Sequence, residues 1–215
     1  MARKAIVTES SENPTVLVVD DEAEVADVYA LRLRGEYDVE TAHGGAAALD
    51  TVDDSFDVVL LDRRMPDIPG DDVLSTIRDR GLDCRVIMIT AVDPDFDIVE
   101  MPFDDYLCKP VEKRDLVAAI EQQLTATRYD ERLTEYLEVT SKLALLEAEK
   151  SAAELDGTSK LALLEAEKSA AELDGNEQIG ELRDRADRLK ADLDETLAEF
   201  DDATTAFQEI ERNSS

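Results

Sequence analysis

The chain has 215 residues, 35% of them charged, and a formal net charge of −30. That length holds one ordinary domain and an appendage, and that charge works against binding nucleic-acid phosphates, whose affinity comes mainly from Lys and Arg. No apolar run approaches the ~20 residues that span a bilayer, and the N-terminus lacks the apolar region of a signal peptide, so a cytoplasmic protein with no membrane partner is expected.

Self-repulsion on this scale is what halophilic proteins manage with high salt. Only eight of the 23 basic residues are lysine, which fits that habitat. Cys84 and Cys108 fall at the ends of apolar segments and read as small core residues of a reducing compartment.

Residues 1–13 are polar and unpatterned, a flexible tail. From 14 to 126, apolar strand segments alternate with amphipathic ones, the pattern of a βα-repeating domain. Thr15–Val19 is a first strand that ends in Asp20-Asp21, followed by a helix over Glu22–Arg34. Tyr37–Thr41 is a less apolar strand and belongs at a sheet edge. His43 precedes Gly44-Gly45, where a second helix over Gly45–Asp53 begins, and it is given no role. Val58-Val59-Leu60-Leu61 runs straight into Asp62, and Pro66 with Pro69-Gly70 then stops regular structure. A short apolar run closed this way reads as a strand buried on both faces, the interior of a parallel sheet. A helix over Asp71–Arg80 comes next. Arg85–Ile89 ends in Thr90, and Tyr106–Cys108 ends in Lys109-Pro110. Between them Pro94 and Pro102 leave room for two helical turns at most, so the fourth crossover helix should be short or degenerate. A last helix begins near Glu112. Five strands joined by crossover helices predict a flavodoxin-like, doubly wound parallel sheet of order 2-1-3-4-5, with its switch point between strands one and three.

From 127 to 215 apolar strands vanish and Ala, Leu and Glu dominate, so a C-terminal all-α domain is expected. Residues 140–157 recur letter for letter as 158–175, an 18-residue tandem. Eighteen residues make five helical turns at 3.6 per turn, so the copy would push the residues after it outward by roughly 27 Å without rotating them. Asp174-Gly175-Asn176 reads as a helix stop. Beyond it, Ile179, Ala186, Leu193, Phe200 and Phe207 repeat at seven residues, with Leu182, Leu189, Thr196, Ala203 and Ile210 as the second row. Tyr136, Val139, Leu143 and Leu146 form a similar stripe. These two stripes predict a helical hairpin or coiled coil, within one chain or between two. Gly157 is the weak point of its first arm. With the turn at Gly175, the return helix would reach back to about Glu138.

If the strands are parallel, Asp20, Asp21, Asp62, Thr90 and Lys109 converge at the carboxyl edge of the sheet, where open α/β folds place their chemistry. That set suits phosphoryl transfer. A carboxylate can act as the nucleophile and become an acyl phosphate, and catalysis is then mostly positioning and electrostatics. Mg²⁺ suits a site with few carboxylates, several waters and phosphate oxygens. Asp20 and Asp21 would cradle it with Asp62, Lys109 would balance the remaining charge, and Thr90 would offer its hydroxyl to a phosphoryl oxygen. Each residue alone has an ordinary reading. Asp20-Asp21 could cap a helix, Thr90 could merely end a strand, Lys109 could be a solvated charge, and Tyr106 a core-edge aromatic. It is the common position of Asp20-Asp21, Asp62, Thr90 and Lys109, each just after an apolar strand, that joins them.

The segments Val-Val-Asp-Asp at 18–21, Leu-Leu-Asp-Arg-Arg-Met-Pro-Asp-Ile-Pro-Gly at 60–70, Ile-Thr-Ala at 89–91 and Asp-Asp-Tyr-Leu-Cys-Lys-Pro at 104–110 resemble a receiver domain of two-component response regulators. The resemblance implies Asp62 as phosphoacceptor, Asp20 and Asp21 as metal carboxylates, and the Arg64 backbone carbonyl as a further metal ligand. It implies Thr90 and Tyr106 as a switch pair, Lys109 on the phosphoryl group, and a histidine kinase as phosphodonor. The remainder resembles the HalX output domain of halophilic archaeal regulators, at the junction after Arg128-Tyr129-Asp130 and in its acidic Ala/Leu/Glu character. This implies a regulator without enzymatic output, signalling by homodimerisation or to a downstream regulatory protein, with transcription as the target.

Two other functions compete. Haloacid-dehalogenase-type phosphatases also use Asp, a hydroxyl residue and Lys, but they place a general-acid carboxylate two residues after the nucleophile, and Arg64 stands there. A direct DNA binder would need basic surface. From residue 127 onward, 11 Lys and Arg face 24 Asp and Glu, a balance of −13. The one basic cluster, Arg183, Arg185, Arg188 and Lys190, is interleaved with Asp184 and Asp187 and reads as solvated helix with i,i+4 pairs.

Overall fold

Three runs of β-branched and long aliphatic residues cannot be left in water, and the fold buries them edge to edge. The computed structural model describes residues 13–91, 101–156 and 177–198. Strands β1 (Thr15–Val19), β2 (Asp38–Ala42), β3 (Val58–Asp62), β4 (Arg85–Thr90) and β5 (Asp105–Cys108) form one sheet. Its order is β2-β1-β3-β4-β5 and every pair is parallel. The sheet is thus the flavodoxin-like one expected. β2, with alternate residues exposed, takes an edge.

Successive side chains of a strand point to opposite faces, and the central strands are apolar on both. Leu17, Val19, Val59, Leu61, Val86 and Met88 pack with α2 (Gly45–Thr51) and α3 (Gly70–Asp79), through Ala48, Val73, Leu74 and Ile77. Val16, Val18, Val58, Leu60, Ile87 and Ile89 pack with α1 (Ala23–Leu33) and the first turns of α4 (Lys113–Asp156), through Ala26, Leu33, Leu116 and Ile120. Each fully buried Val, Leu or Ile contributes roughly 1.5–3 kcal/mol. The helices therefore flank the sheet on both sides and leave its carboxyl edge open.

One polar tie holds the lead into β5. The Asp104 carboxylate accepts from Arg78 at 2.6 Å, from Arg85 at 3.0 Å and from the Val86 N–H at 2.7 Å. Arg78 also donates to the carbonyls of Pro102 and Cys84, so one guanidinium pins α3 to the chain on either side of β4. The short fourth crossover helix expected from the sequence falls on 92–100, outside the described residues.

The chain divides into two units, residues 1–124 and 125–215. In the second, α4 and a helix over 177–198 (α5) face each other along Val139, Ala186 and Leu189, flanked by Tyr136 and Leu182. Ile179, Ala186, Leu189 and Leu193 are all buried, as the heptad required, and the seam closes within the chain. Arg132 bonds Asp192, Arg183 bonds Glu147 and Arg185 bonds Glu135. These pairs run between the two helices, not along one. The first of them also corrects the expected reach, since α5 already lies beside Arg132 at Asp192, beyond Glu138. The turns at Gly157 and Gly175, and the later heptad positions Phe200, Ala203, Phe207 and Ile210, lie outside the described residues.

Candidate functional site

The site forms where β1 and β3 end side by side. Val19 of β1 is paired with Leu61 of β3, so Asp20 and Asp62, one step beyond, emerge from the sheet together. Asp62 is the last residue of β3, not the first after it. Both carboxylates are buried, whereas Asp21 is exposed. Each of Asp20, Asp21 and Asp62 offers a carboxylate oxygen within 4.8 Å of the others.

Lys109 arrives from the end of β5 and bridges the two buried acids. Its ammonium lies 2.7 Å from Asp20 Oδ2 and 2.8 Å from Asp62 Oδ1. The other oxygens are occupied as well. Asp20 Oδ1 accepts the Glu22 N–H at 2.9 Å, and Asp62 Oδ2 accepts the Arg64 N–H at 3.0 Å. Asp20 thus braces the turn into α1 without capping it, since Glu22 holds the N-cap position and the helix has no side-chain cap.

Burial is the main influence pushing the Asp62 carboxyl above its ordinary value, Asp20 adds to it, and the Lys109 ammonium only partly compensates. Lys109 shows the converse balance. Burial would lower its ammonium, but its bonds to Asp20 and Asp62 outweigh that and hold it up. Two of the three clustered carboxylates thus share the Lys109 ammonium with Asp21 alongside, an excess of negative charge with hard oxygen donors. That donor set fits Mg²⁺, which takes one or two carboxylates and keeps several waters.

Thr90 closes β4, fully buried, and its carbonyl accepts the Lys109 N–H at 2.7 Å. Tyr106 is paired with Met88 across β4 and β5. Period-two alternation puts Tyr106 on the same face as Met88 and Thr90. Its ring, part-buried, lies 5.8 Å from that of Phe103 at 46°. The acids, Lys109 and the Thr90 carbonyl form one cluster, whereas Tyr106 stands on the neighbouring edge strand. His43 is exposed.

Two supports are not evident from the sequence. Asp67 accepts the N–H groups of Gly45 at 3.2 Å and Ala46 at 3.0 Å, so the loop after β3 caps α2. The N–H groups of Ala46, Ile68 and Gly45 hold its carboxyl down to about 2. The signal was a helix start, Gly44-Gly45, with no capping side chain of its own. Arg63 forks onto Asp71 in the first turn of α3, at 3.1–3.3 Å.

Residues 16–121 match the family model of the response regulator receiver domain, and residues 125–159 and 157–210 match the HalX domain. A Haloferax volcanii protein named as a candidate transcriptional regulator is 53% identical over 134 residues, which cover 62% of this chain and 23% of that protein. The transcriptional regulatory protein CpxR of Escherichia coli is 40% identical over 121 residues, 54% of this chain and 52% of its own. The chain thus spans about half or less of the curated relatives it matches. Among solved structures, a CheY-like receiver domain protein from Methanospirillum hungatei superposes with a TM-score of 0.50 at 25% identity, covering 55% of this chain and 99% of its own.

Proposed function

Because the chain belongs to the response regulator receiver family, with a HalX domain behind the receiver, we propose that it is a two-component response regulator that accepts a phosphoryl group on Asp62. The observation that carries this reading is Lys109 bridging Asp20 and Asp62, with Asp21 within metal-sharing distance. In this reading Asp62 Oδ1 attacks phosphorus, the bond to the histidine nitrogen of a partner kinase breaks, and the carboxylate becomes an acyl phosphate. Asp20, Asp21, Asp62 and the Arg64 backbone carbonyl would hold Mg²⁺. Bound there, Mg²⁺ supplies positive charge against the incoming phosphoryl oxygens. Lys109 passes from pairing with Asp62 to pairing with a phosphoryl oxygen, and the Thr90 hydroxyl donates to another. Tyr106, on the same face as Thr90, would report the change.

The helical unit serves as output without chemistry of its own. Two of its four clustered basic residues, Arg183 and Arg185, are engaged by Glu147 and Glu135, and the surrounding charge is acidic. Transcription is therefore reached through a protein partner and not by direct DNA contact, and a second copy of the chain is one such partner. The phosphatase reading is set aside, since Arg64 fills the place of its general acid. Among the described residues no helix is long and apolar enough to cross a membrane, and action in the cytoplasm beside a kinase is part of the proposal.

The test is phosphoryl incorporation from a small acyl phosphate, with Mg²⁺ and with a chelator. Incorporation is expected only with the divalent ion. Equal incorporation in the chelator would refute the metal-dependent reading.

A further inference from the structure

Lys109 must hold its ammonium between two carboxylates and later hand it to a phosphoryl oxygen, yet a lysine stem carries ~2 kcal/mol of rotamer entropy. Its backbone is fixed on the β4 side by the bond from its N–H to the Thr90 carbonyl. On the other side, two residues on, Val111 is fixed by α1. Arg32 Nη1 donates to the Val111 carbonyl at 2.7 Å. One turn earlier on α1, Tyr29 is buried in the same cluster as Val111. The Arg32 guanidinium lies 5.8 Å from the centre of the Tyr29 ring. The carbonyl of Val111, itself 5% exposed, is thus held by an α1 cation that is seated against the ring of its α1 neighbour.

We infer that Arg32, seated against the Tyr29 ring, is a positioning residue for phosphoryl transfer, gripping Val111 from α1 so that Lys109 is aimed at Asp62. It does not touch the reacting atoms. It acts through the three-residue span Lys109-Pro110-Val111, whose two ends it and the Thr90 carbonyl hold. The grip explains why a helix that contributes no side chain to the acid cluster nonetheless carries a buried phenol and a cation at that end of the sheet. This inference rests on the phosphoacceptor reading of Asp62.

The experiment compares the full chain with Arg32→Met, Arg32→Lys and Tyr29→Phe. In metal-free protein, exchange of the Lys109 ammonium protons with water is followed by NMR. In parallel, phosphorylation by acetyl phosphate is measured against Mg²⁺ concentration. Arg32→Met is expected to speed ammonium exchange and to lower the maximal phosphorylation rate roughly tenfold through misplacement of the charge. The Mg²⁺ concentration at half-saturation should stay within about twofold, because no metal carboxylate moves. Arg32→Lys, which keeps one donor for the Val111 carbonyl, should restore part of the rate. Tyr29→Phe keeps the ring beside the guanidinium and should leave exchange and rate near wild type, and Arg32→Lys, closer in size, keeps the test decisive if Arg32→Met fails to fold. A lower melting temperature with unchanged ammonium exchange and unchanged maximal rate would overturn the inference and leave Arg32 a packing residue. A wild-type chain that takes no phosphoryl group at all would overturn the functional reading itself, and this inference with it.

Discussion

Asp62→Asn is expected to abolish phosphoryl acceptance, by about a thousandfold or more, because the substitution removes the nucleophile and leaves only the binding groups around it. The carboxamide has the same shape, and its oxygen can still accept the Arg64 N–H that now meets Asp62 Oδ2 at 3.0 Å, so the loss should be chemical and not a loss of fold. The same variant should be more heat-stable than the wild type in metal-free buffer at neutral pH. Burial raises the Asp62 carboxyl above its ordinary value, which means the folded state favours the neutral form. Whatever stability that group contributes is present below the ordinary carboxylate range and is lost as pH rises through the raised value. Asparagine is neutral at every pH and avoids that loss. Added Mg²⁺ should reverse the order by stabilising the wild type alone. A variant that still accepts phosphoryl groups at the wild-type rate would show that another residue is the acceptor. One that melts lower in chelator would show that the pairing with Lys109 outweighs the cost of burial.

Gly70→Ala is expected to destabilise the receiver by about 3 kcal/mol, near the upper end of overpacking costs. Gly70 opens α3, and its N–H bonds the Arg63 carbonyl at 2.9 Å. A Cβ there would lie 2.3 Å from the Asp62 carbonyl oxygen and 2.9 Å from the Arg63 Cα. Both are backbone atoms and cannot swing aside. The glycine is needed here for close approach and not for an unusual backbone angle. Relief would push α3 away from the end of β3, the stretch that carries Asp62, so the folded fraction of the variant should also phosphorylate more slowly. Chemical denaturation measures the first effect and initial rates the second. A change in stability below about 0.5 kcal/mol, the range of ordinary surface substitutions, would mean that the α3 entry is far more pliable than this packing implies.

Much of the site was legible because its residues obey a local rule. Leu60-Leu61-Asp62 announces a strand buried on both faces that stops at an acid, and Val18-Val19-Asp20 repeats the phrase. Once both strands are parallel neighbours, their ends must meet. The seam of the helical unit was legible for the same kind of reason, since Ile179, Ala186 and Leu193 keep to a heptad that needs no knowledge of the partner helix. Edges were harder. Tyr37 reads as the start of β2, but the strand begins at Asp38, because the Tyr37 ring is drawn into the core on the side of α1 and α4 and its hydroxyl donates to Glu121 at 2.7 Å. The supports were less legible still. Asp67 on the N-terminus of α2, Arg78 and Arg85 on Asp104, and Arg32 on Val111 each join residues far apart in sequence. Each such charge, read along the chain, resembles any of the other charged residues of this acidic protein. The ion pairs between α4 and α5 belong to the same class. Their arginines are patterned like a solvated helix face, and only the facing helix shows which carboxylates they meet.

The central claim is that Asp62, and no neighbouring acid, becomes an acyl phosphate when the carboxylates share a divalent ion. Treating the protein with acetyl phosphate and Mg²⁺, reducing with borohydride and sequencing the peptides by mass spectrometry tests this directly, because reduction converts an aspartyl phosphate to homoserine. Homoserine at position 62 alone, and only in the samples that contained Mg²⁺, is the predicted result. Unmodified Asp62 alongside homoserine at position 20 or 21, or the same yield at 62 in chelator, would contradict it.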